Sequence, residues 1–347
     1  MRVRNNVFLD DAEFANNKVA VTWEEPRNGT TRVGFRTSTN SGSSFGSTEY
    51  VGHSEDSALD VCSSAVLHSA YSHEVGGGHW QIEHAVRSVG GSGFDRDLVF
   101  PNANNQHDPD IACAGGRVFV SWYEPSGMGD HLFVANARRS DGVFGLPLDL
   151  GLDNETTYGS SLAVAGVPGH AYAVFTRSDG DLRFMPFSIG SGAAMRVTPG
   201  PESVIANGTP NNSADYALIR AQGSKVVVAW FKCGGLFVRV SNDHGATWGP
   251  ARRLLSNDSC GGDFAANWSS VAIDGSRVVA VYVGRGAFGG GVARLIDTTT
   301  DFASRTVDTI SSNVQLEHMV GFVSVAGADK LAAAFNPFGK IRFRRET

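Results

Sequence analysis

Short apolar runs that end at an aromatic residue recur along the chain at nearly constant spacing. They occupy residues 19–23, 67–71, 118–122, 171–175, 226–230, 278–282 and 331–335. Their first residues are 48, 51, 53, 55, 52 and 53 positions apart. The runs are too short for helices and show no 3.6-residue period, so they predict β-strands buried on both faces. Seven copies at this spacing are typical of four-stranded propeller blades.

Turn residues separate these runs from the strands before them. Segments 15–18, 114–117, 222–225, 274–277 and 327–330 each contain Gly or Asn, which predicts tight hairpins. Further strands are predicted after the runs, for example at 132–138 and 236–240. The pattern predicts an all-β fold, a single seven-bladed propeller of four-stranded antiparallel blades over residues 1–347. The blades are predicted at 10–52, 53–103, 104–153, 154–204, 205–258, 259–312 and 313–347 plus 1–9.

The two chain ends predict how the propeller closes. The last repeat stops after a strand at 340–344, and strand-like residues 2–9 precede the first blade. We therefore expect the N-terminal strand to join the last, C-terminal blade, which removes an exposed sheet edge.

Composition and charge exclude several classes of protein. The chain is 41% hydrophobic and 18% charged, with a net charge of −6, and the scattered signs argue against a nucleic-acid partner. No apolar stretch approaches the ~20 residues of a membrane span. The first residues lack an apolar signal sequence, so the chain is either cytoplasmic or a mature secreted form.

The four cysteines favour the secreted alternative. Cys62 and Cys113 each lie five residues before an apolar run, which gives them equivalent positions on adjacent predicted blades. Cys233 and Cys260 fall in successive loops on one face. The pairings Cys62–Cys113 and Cys233–Cys260 would place the protein in a secreted or extracytoplasmic, oxidising compartment. Reduced buried thiols are the alternative.

One turn carries a recognisable motif. Residues 241–248 read Ser-Asn-Asp-His-Gly-Ala-Thr-Trp, and weaker copies stand at 38–45 and 139–144. In such a turn an Asp accepts backbone N–H bonds and a Gly adopts positive φ. We therefore assign structural roles to Ser241, Asp243, Gly245, Thr247 and Trp248. The motif, at this phase of the repeat, resembles the Asp-box (BNR-repeat) propellers of the sialidase-like superfamily, and the resemblance covers essentially the whole chain.

This resemblance implies several possible activities. The superfamily includes sialidases, other glycoside hydrolases, polysaccharide lyases, lectins and assembly factors without enzyme activity, so fold does not decide function. Catalytic sialidases share a Phe-Arg-Ile-Pro segment leading into the first blade and usually have six blades. Here residues 6–11 read Asn-Val-Phe-Leu-Asp-Asp, so the chain is not a typical catalytic sialidase. The resemblance also places the active site on the face opposite the Asp-boxes.

Loops of that opposite face gather the candidate site residues. His and Tyr can transfer protons at neutral pH, as a lyase requires, whereas a hydrolase needs two carboxylates about 5–10 Å apart. The predicted catalytic residues are Tyr71, His73, Glu74, His107, Asp108, Tyr123 and Glu124, and the predicted substrate-binding residues are His79, Trp80, Arg177, Trp268 and Arg285. The alternative is that residues 107–108 cap a strand and residues 73–74 form a solvated loop.

The predicted function is therefore a carbohydrate-active propeller that cleaves a polysaccharide or glycoside at one site. No cofactor is expected, because the spacing of His73, His79 and His107 matches no recognised metal-ligand pattern; a structural cation stays open. The loops do not repeat between blades, which favours one asymmetric site over a multivalent lectin. A non-catalytic glycan-binding lectin or a protein-docking propeller is the alternative.

Overall fold

The chain forms β-strands throughout the regions that the structure describes. This computed structural model describes residues 8–62, 66–126, 129–138, 143–152, 162–188, 197–209, 214–232, 235–256, 269–285, 291–303, 306–314, 318–325, 328–335 and 342–345. All regular elements of these residues are strands. Accordingly, they include no helix of the length and apolarity that crossing a membrane demands.

The strands belong to two compact units, which comprise Met1–Tyr71, Ala85–Arg96 and Asp263–Thr347 in the first and Ser72–His84 and Asp97–Gly262 in the second. The second unit contains three antiparallel sheets. They are β9 (His107–Ala114), β10 (Arg117–Ser126), β11 (Gly129–Arg138) and β12 (Leu148–Leu152); β13 (Leu162–Val167), β14 (His170–Thr176), β15 (Leu182–Ser188), β16 (Thr198–Pro199) and β17 (Ser203–Ala206); and β18 (Asp215–Gln222), β19 (Lys225–Lys232), β20 (Gly235–Ser241) and β21 (Arg252–Ser256).

The first unit is built in the same way. Its sheets are β1 (Phe8–Ala15), β2 (Lys18–Arg27), β3 (Thr30–Ser38) and β4 (Glu49–Gly52); β22 (Ser269–Asp274), β23 (Arg277–Arg285), β24 (Gly291–Thr298) and β25 (Thr306–Val314); and β26 (His318–Val325), β27 (Ala328–Phe335) and β28 (Arg342–Arg345). The sheet of β5 (Ser54–Cys62), β6 (Val66–Gly76), β7 (His79–Ser88) and β8 (Asp95–Leu98) supplies residues to both units.

Each predicted apolar run is the second strand of a sheet. The runs lie in β2, β6, β10, β14, β19, β23 and β27, and each of these strands pairs with a neighbour on both sides. Residues 117–122 of β10, for example, are all buried. A strand covered on both faces needs apolar side chains at every position, which is why these strands read as continuous runs rather than alternating ones.

The predicted hairpins are correct at four of the five positions. The register pairs Ala15 with Lys18, and equivalent two-residue turns follow β9, β18 and β22. The hairpin predicted at 327–330 is placed too late, because Val325 pairs with Ala328. The apolar pattern of the last repeat does not distinguish these two registers.

The predicted boundary at the N-terminus also needs correction. Phe8 and Leu9, assigned by sequence to the last blade, pair with Glu24 and Trp23 of β2. The residues that would complete the last sheet, 1–7, lie outside the described residues, so closure by the N-terminal strand stays a prediction. The sheet they would join has three described strands, β26, β27 and β28.

Side chains from neighbouring sheets interdigitate to form the core of the second unit. Phe119 of β10 stacks on Phe187 of β15 at 6.3 Å between ring centroids. The next layer joins β14 and β15 to β18 and β19, where Tyr172 and Trp230 are fully buried. Burial of this kind removes apolar area from water and positions the loops at the strand ends.

Two of the four cysteines lie in described strands. Cys62 ends β5 and Cys113 lies in β9, and both are disulfide-bonded. The expectation of a disulfide is therefore confirmed. Cys233 and Cys260 lie outside the described residues.

Candidate functional site

Three aromatic rings form a continuous row within the second unit. The Trp80 and His107 ring centroids are 6.3 Å apart, and those of His107 and Tyr123 are 5.6 Å apart. Neighbouring planes are inclined by 39° and 31°, and all three rings are half-buried. We call Trp80, His107 and Tyr123 the ring shelf. Each of these three residues therefore keeps part of its surface accessible to solvent.

A β-bulge positions His107 on this shelf. His107 pairs with Tyr123 and Asp110 pairs with Ser121, so Asp108 and Pro109 together oppose the single residue Trp122. Asp108 adopts a φ of 46°, a conformation that Asp tolerates better than most residues. A bulge of this kind re-aims the neighbouring side chain, and here it places His107 beside Tyr123.

Asp110 anchors the strand that carries the bulge. Its Oδ1 accepts the Ile111 N–H at 2.8 Å, and its Oδ2 accepts the Val164 N–H of the next sheet at 2.8 Å. In the first unit Asp11 makes the same pair of bonds, to Ala12 and Leu59. Asp108 is the bulge residue, and its catalytic role stays a prediction.

Backbone and amide hydrogen bonds fix Trp80 against the segment 102–106. The Trp80 N–H donates to Asn105 Oδ1 at 3.0 Å, and the Gln106 N–H donates to the Trp80 carbonyl at 3.0 Å. The Ile82 N–H donates to Gln106 Oε1 at 3.0 Å. The two segments that bring Trp80 and His107 together are therefore tied by direct bonds.

Glu124 lies beneath this segment and binds it through its carboxylate. Oε1 accepts Asn102 Nδ2 at 2.7 Å, Gln106 Nε2 at 3.0 Å and Trp122 Nε1 at 3.2 Å, while Oε2 accepts Asn104 Nδ2 at 2.7 Å. Burial alone would raise the pKa of Glu124, but the hydrogen bonds from these side chains outweigh it and lower the pKa. A carboxylate held in this way positions the segment and stays ionised, so Glu124 is not suited to donate a proton.

His79 and Gln81 extend the network at the exposed edge of the shelf. His79 Nε2 lies 3.1 Å from the Asn104 carbonyl oxygen, and Gln81 Nε2 donates to that oxygen at 2.7 Å. Gln81 Nε2 is also 3.0 Å from His79 Nε2. The imidazole of His79 is therefore oriented by the segment that Glu124 holds, and it borders Trp80 along the chain.

The other predicted residues of this hairpin have local contacts. His73 Nε2 is 3.8 Å from Glu83 Oε2, and Glu74 Oε1 accepts the Gly78 N–H at 2.8 Å. Glu74 thereby closes the turn between β6 and β7. Residues 73–74 are half-buried and lie in strand β6, so the alternative that they form a solvated loop is wrong, and their catalytic role stays a prediction.

Burial gives His107 the protonation state of a base. Desolvation lowers the pKa of His107, and the nearby Asp108 carboxylate only partly opposes this effect. Its imidazole is consequently neutral at neutral pH, with a lone pair able to accept a proton.

Two of the predicted site residues, Tyr71 and Arg177, make contacts outside the ring shelf. Tyr71 has no exposed surface and packs edge-on against Phe35 at 6.3 Å; a fully buried ring cannot contact a substrate, so Tyr71 belongs to the core. Arg177 donates from Nη2 to Glu202 at 2.7 Å and from Nη1 to the Leu150 carbonyl. Trp268 lies outside the described residues, as does the side chain of Arg285, the last residue of β23.

The turn at residues 241–248 is held by its own side chains. Asp243 Oδ1 accepts the Thr247 N–H at 2.8 Å and the Ser241 hydroxyl at 2.7 Å, and Oδ2 accepts the Thr247 hydroxyl at 2.6 Å. Hydrogen bonds from Thr247 and Ser241 lower the pKa of Asp243 to about 2. Gly245 has a φ of 85°, and Trp248 meets Phe184 edge-on at 5.0 Å.

Residues 38–46 form the same turn with Asn40 in place of the aspartate. Asn40 Oδ1 accepts the Ser44 N–H at 2.9 Å and the Ser38 hydroxyl at 2.9 Å. A further copy, which sequence reasoning missed, starts at Thr298, whose Oγ1 accepts the Thr300 and Phe302 N–H groups at 3.1 and 3.3 Å. The sequence signal for this copy is the spacing of Thr298 and Thr300, which matches that of Ser241 and Asp243 and of Ser38 and Asn40.

Sequence reasoning also missed the amides around the shelf. For four of them the signal is a run of side-chain amides just before a predicted inner strand, where a loop would need polar anchors; Gln81 lies in β7, outside that run. The missed residues are Gln81, Asn102, Asn104, Asn105 and Gln106.

Comparison with known proteins identifies the fold. No protein-family model and no curated protein matches the chain. The polysaccharide lyase Uly1 matches at a TM-score of 0.57 and 9% identity, over 97% of this chain and 89% of its own. The fungal lectin of Aleuria aurantia, a six-bladed β-propeller, matches at 0.51 and 11% identity, over 89% and 96%. The chain is similar to a β-propeller.

A Trypanosoma rangeli sialidase matches 86% of this chain at 12% identity, with a TM-score of 0.49. The chain spans 56% of the length of that sialidase.

Proposed function

We propose that the chain is a carbohydrate-active propeller whose ring shelf binds a glycan and cleaves it. The observation that carries the proposal is the row of Trp80, His107 and Tyr123, because a neutral imidazole and a phenol lie side by side next to an indole face. The indole binds the sugar ring, and the other two groups transfer protons.

The reaction that fits these groups is β-elimination on a uronate-containing polysaccharide. His107 takes the proton from the carbon beside the carboxyl group, and the electron pair forms a carbon–carbon double bond as the glycosidic C–O bond breaks. Tyr123 gives its proton to the leaving oxygen. The products are one chain with a new reducing end and one with an unsaturated end.

Hydrolysis by two carboxylates is supported less well. Both oxygens of Glu124 accept hydrogen bonds from the segment 102–106 or from Trp122, and Glu74 closes a turn. A glycosidase needs one carboxyl group that stays protonated and a second that is ionised. Glu124 and Glu74 do not provide that pair.

A non-catalytic glycan-binding site is the second candidate. The ion pair between Arg177 and Glu202 favours this candidate. Arg177 was predicted to bind substrate, but its guanidinium group already pairs with a carboxylate. Elimination needs a cation beside the uronate carboxylate, whereas binding a neutral sugar on the shelf does not. Docking of a protein on the loop face is a further possibility for the same surface.

The decisive experiment is incubation with a panel of uronate-containing and neutral glycans, with product analysis. The lyase proposal expects unsaturated ends from a uronate polymer, and loss of these products in His107→Ala and Tyr123→Phe. Glu74→Gln is the matched control, because it alters a nearby polar residue outside the shelf. Binding without any product would establish the lectin, and products that persist in both variants would refute the assignment.

We also propose the finer features of the fold and location. The sheets would form seven blades of the Asp-box type, closed by the N-terminal strand, with the shelf on the face opposite turn 241–248. The disulfide state of Cys62 and Cys113 supports a secreted or extracytoplasmic location, because such bonds are rare in reducing compartments. Protection of residues 1–7 from proteolysis in the folded chain would test the closure.

A further inference from the structure

Two segments of identical sequence stand in different surroundings. Residues 28–30 and 207–209 both read Asn-Gly-Thr, and the asparagine of each is exposed. In an Asn-Gly pair the glycine nitrogen can attack the side-chain amide of the preceding asparagine, because glycine has no Cβ to obstruct the approach. Since both segments share this glycine, a difference in their reactivity comes from the fold.

The first segment forms an open turn between β2 and β3. Arg27 pairs with Thr30, and Asn28 and Gly29 lie between them with φ of 54° and 82°. A Cβ built on Gly29 would meet no atom within 4 Å. The hydrogen bonds that close a two-residue hairpin belong to the flanking pair, so the ladder does not engage the Gly29 nitrogen. Opening the turn disrupts only the end of the ladder, which costs little free energy.

The second segment is held by its neighbours. The Gly208 N–H donates to Asp181 Oδ1 at 2.7 Å, and a Cβ built on Gly208 would overlap the Gly180 carbonyl. The Asn207 carbonyl accepts Lys232 Nζ at 2.5 Å. The Gly208 nitrogen attacks only when it loses its proton, and the Asp181 carboxylate opposes a second negative charge beside it. Packing and charge therefore both restrain this Asn-Gly pair.

We propose that Asn28 is a modification site at which the folded chain deamidates spontaneously, and that the fold protects Asn207. The Gly29 nitrogen loses its proton and bonds to Asn28 Cγ, while Nδ2 leaves as ammonia. Water then opens the resulting succinimide at either carbonyl, which gives aspartate or isoaspartate at position 28. Water is the only co-reactant, and the product adds a negative charge to the exposed turn. The site does not depend on the proposed glycan chemistry.

Incubation of the folded full chain in mildly alkaline buffer, followed by peptide mapping with mass spectrometry, tests the site. We expect Asn28 to convert about tenfold faster than Asn207 or more, because an exposed turn opens more readily than a packed one. The same chain unfolded in urea is the reference, and there the two asparagines should convert at similar rates. Similar rates in the folded wild type overturn the proposal, as does an Asn28 that stays intact in the folded chain while it converts in urea.

Asp181→Ala tests the protection directly. It removes the acceptor of the Gly208 N–H, so it should speed the conversion of Asn207 and leave that of Asn28 unchanged. Asp149→Ala is the matched control, because it removes an exposed carboxylate of β12 and should change neither rate. Unchanged conversion of Asn207 in Asp181→Ala, with circular dichroism showing the variant folded, overturns the protective role of this carboxylate.

Discussion

Replacing Glu124 by glutamine tests whether a buried carboxylate holds the segment next to the ring shelf. The change keeps the shape of the side chain but replaces one acceptor oxygen by a donor NH₂ group. In the glutamine variant the remaining oxygen can still accept hydrogen bonds from Asn102, Gln106 and Trp122. The new NH₂ group then faces the Asn104 amide, which is also a donor, so the hydrogen bond from Asn104 is lost. The other bonds also lose the strength that a charged acceptor gives them.

The expected cost follows from these bonds. A hydrogen bond to a charged group contributes about 1.5–3 kcal/mol, and Asn104 is exposed, so its freed amide can bind water. Glu124→Gln should therefore destabilise the protein by about 1.5–3 kcal/mol. For a chain of this size that corresponds to a fall in Tm of about 2–4 °C.

The pH dependence identifies the charge as the cause. The pKa of Glu124 is lower in the folded protein, so its stabilising effect is complete above the unfolded pKa of about 4.3 and disappears as pH falls through the folded pKa. The Tm gap between wild type and Glu124→Gln should be present at neutral pH and close in acid. Glu74→Gln serves as the control in the same thermal melts. Equal Tm values for the two variants at neutral pH would refute the reasoning.

Three further predictions concern the elements around the site. Asp110→Ala leaves two buried N–H groups without an acceptor and should cost about 2–5 kcal/mol in thermal unfolding; Asp11→Ala should act alike, and a neutral result in both would contradict the anchoring role. Gly245→Ala should destabilise by about 2 kcal/mol or more, because its φ is 85° and a Cβ would meet the Phe184 ring; an unchanged Tm would disprove this. Any cleavage activity should fall as pH drops through the lowered pKa of His107, and a rate that rises in acid would exclude His107 as the base.

The strands could be predicted from sequence because burial on both faces leaves a strong signal. The run at 118–122 is apolar or small throughout, and the structure buries all of it in β10. The boundaries between blades were predicted less well. Phe8 and Leu9 could form a strand in either the first or the last sheet, and only their pairing with β2 assigns them to the first.

The site was predicted in part, for a physical reason. His107, Tyr123 and Trp80 were selected for the chemistry of their side chains. The β-bulge at Asp108 brings His107 towards Tyr123, and a bulge has no fixed sequence signature by which it could be predicted. Tyr71 was selected for its phenol group, but it occupies the aromatic position of its apolar run, and this position is buried. The role of Glu124 depends on partners 18–22 residues away in the chain, which local patterns do not reveal.

The most direct test of the carbohydrate site is glycan binding by the wild type and Trp80→Ala across one glycan panel. We predict that the wild type binds at least one glycan and that Trp80→Ala weakens this binding by about tenfold or more, as truncating a central aromatic does. His131→Ala, which changes a half-buried histidine outside the shelf, should bind as the wild type does. Unchanged affinity of folded Trp80→Ala for the same glycan would contradict the claim that the ring shelf is the site.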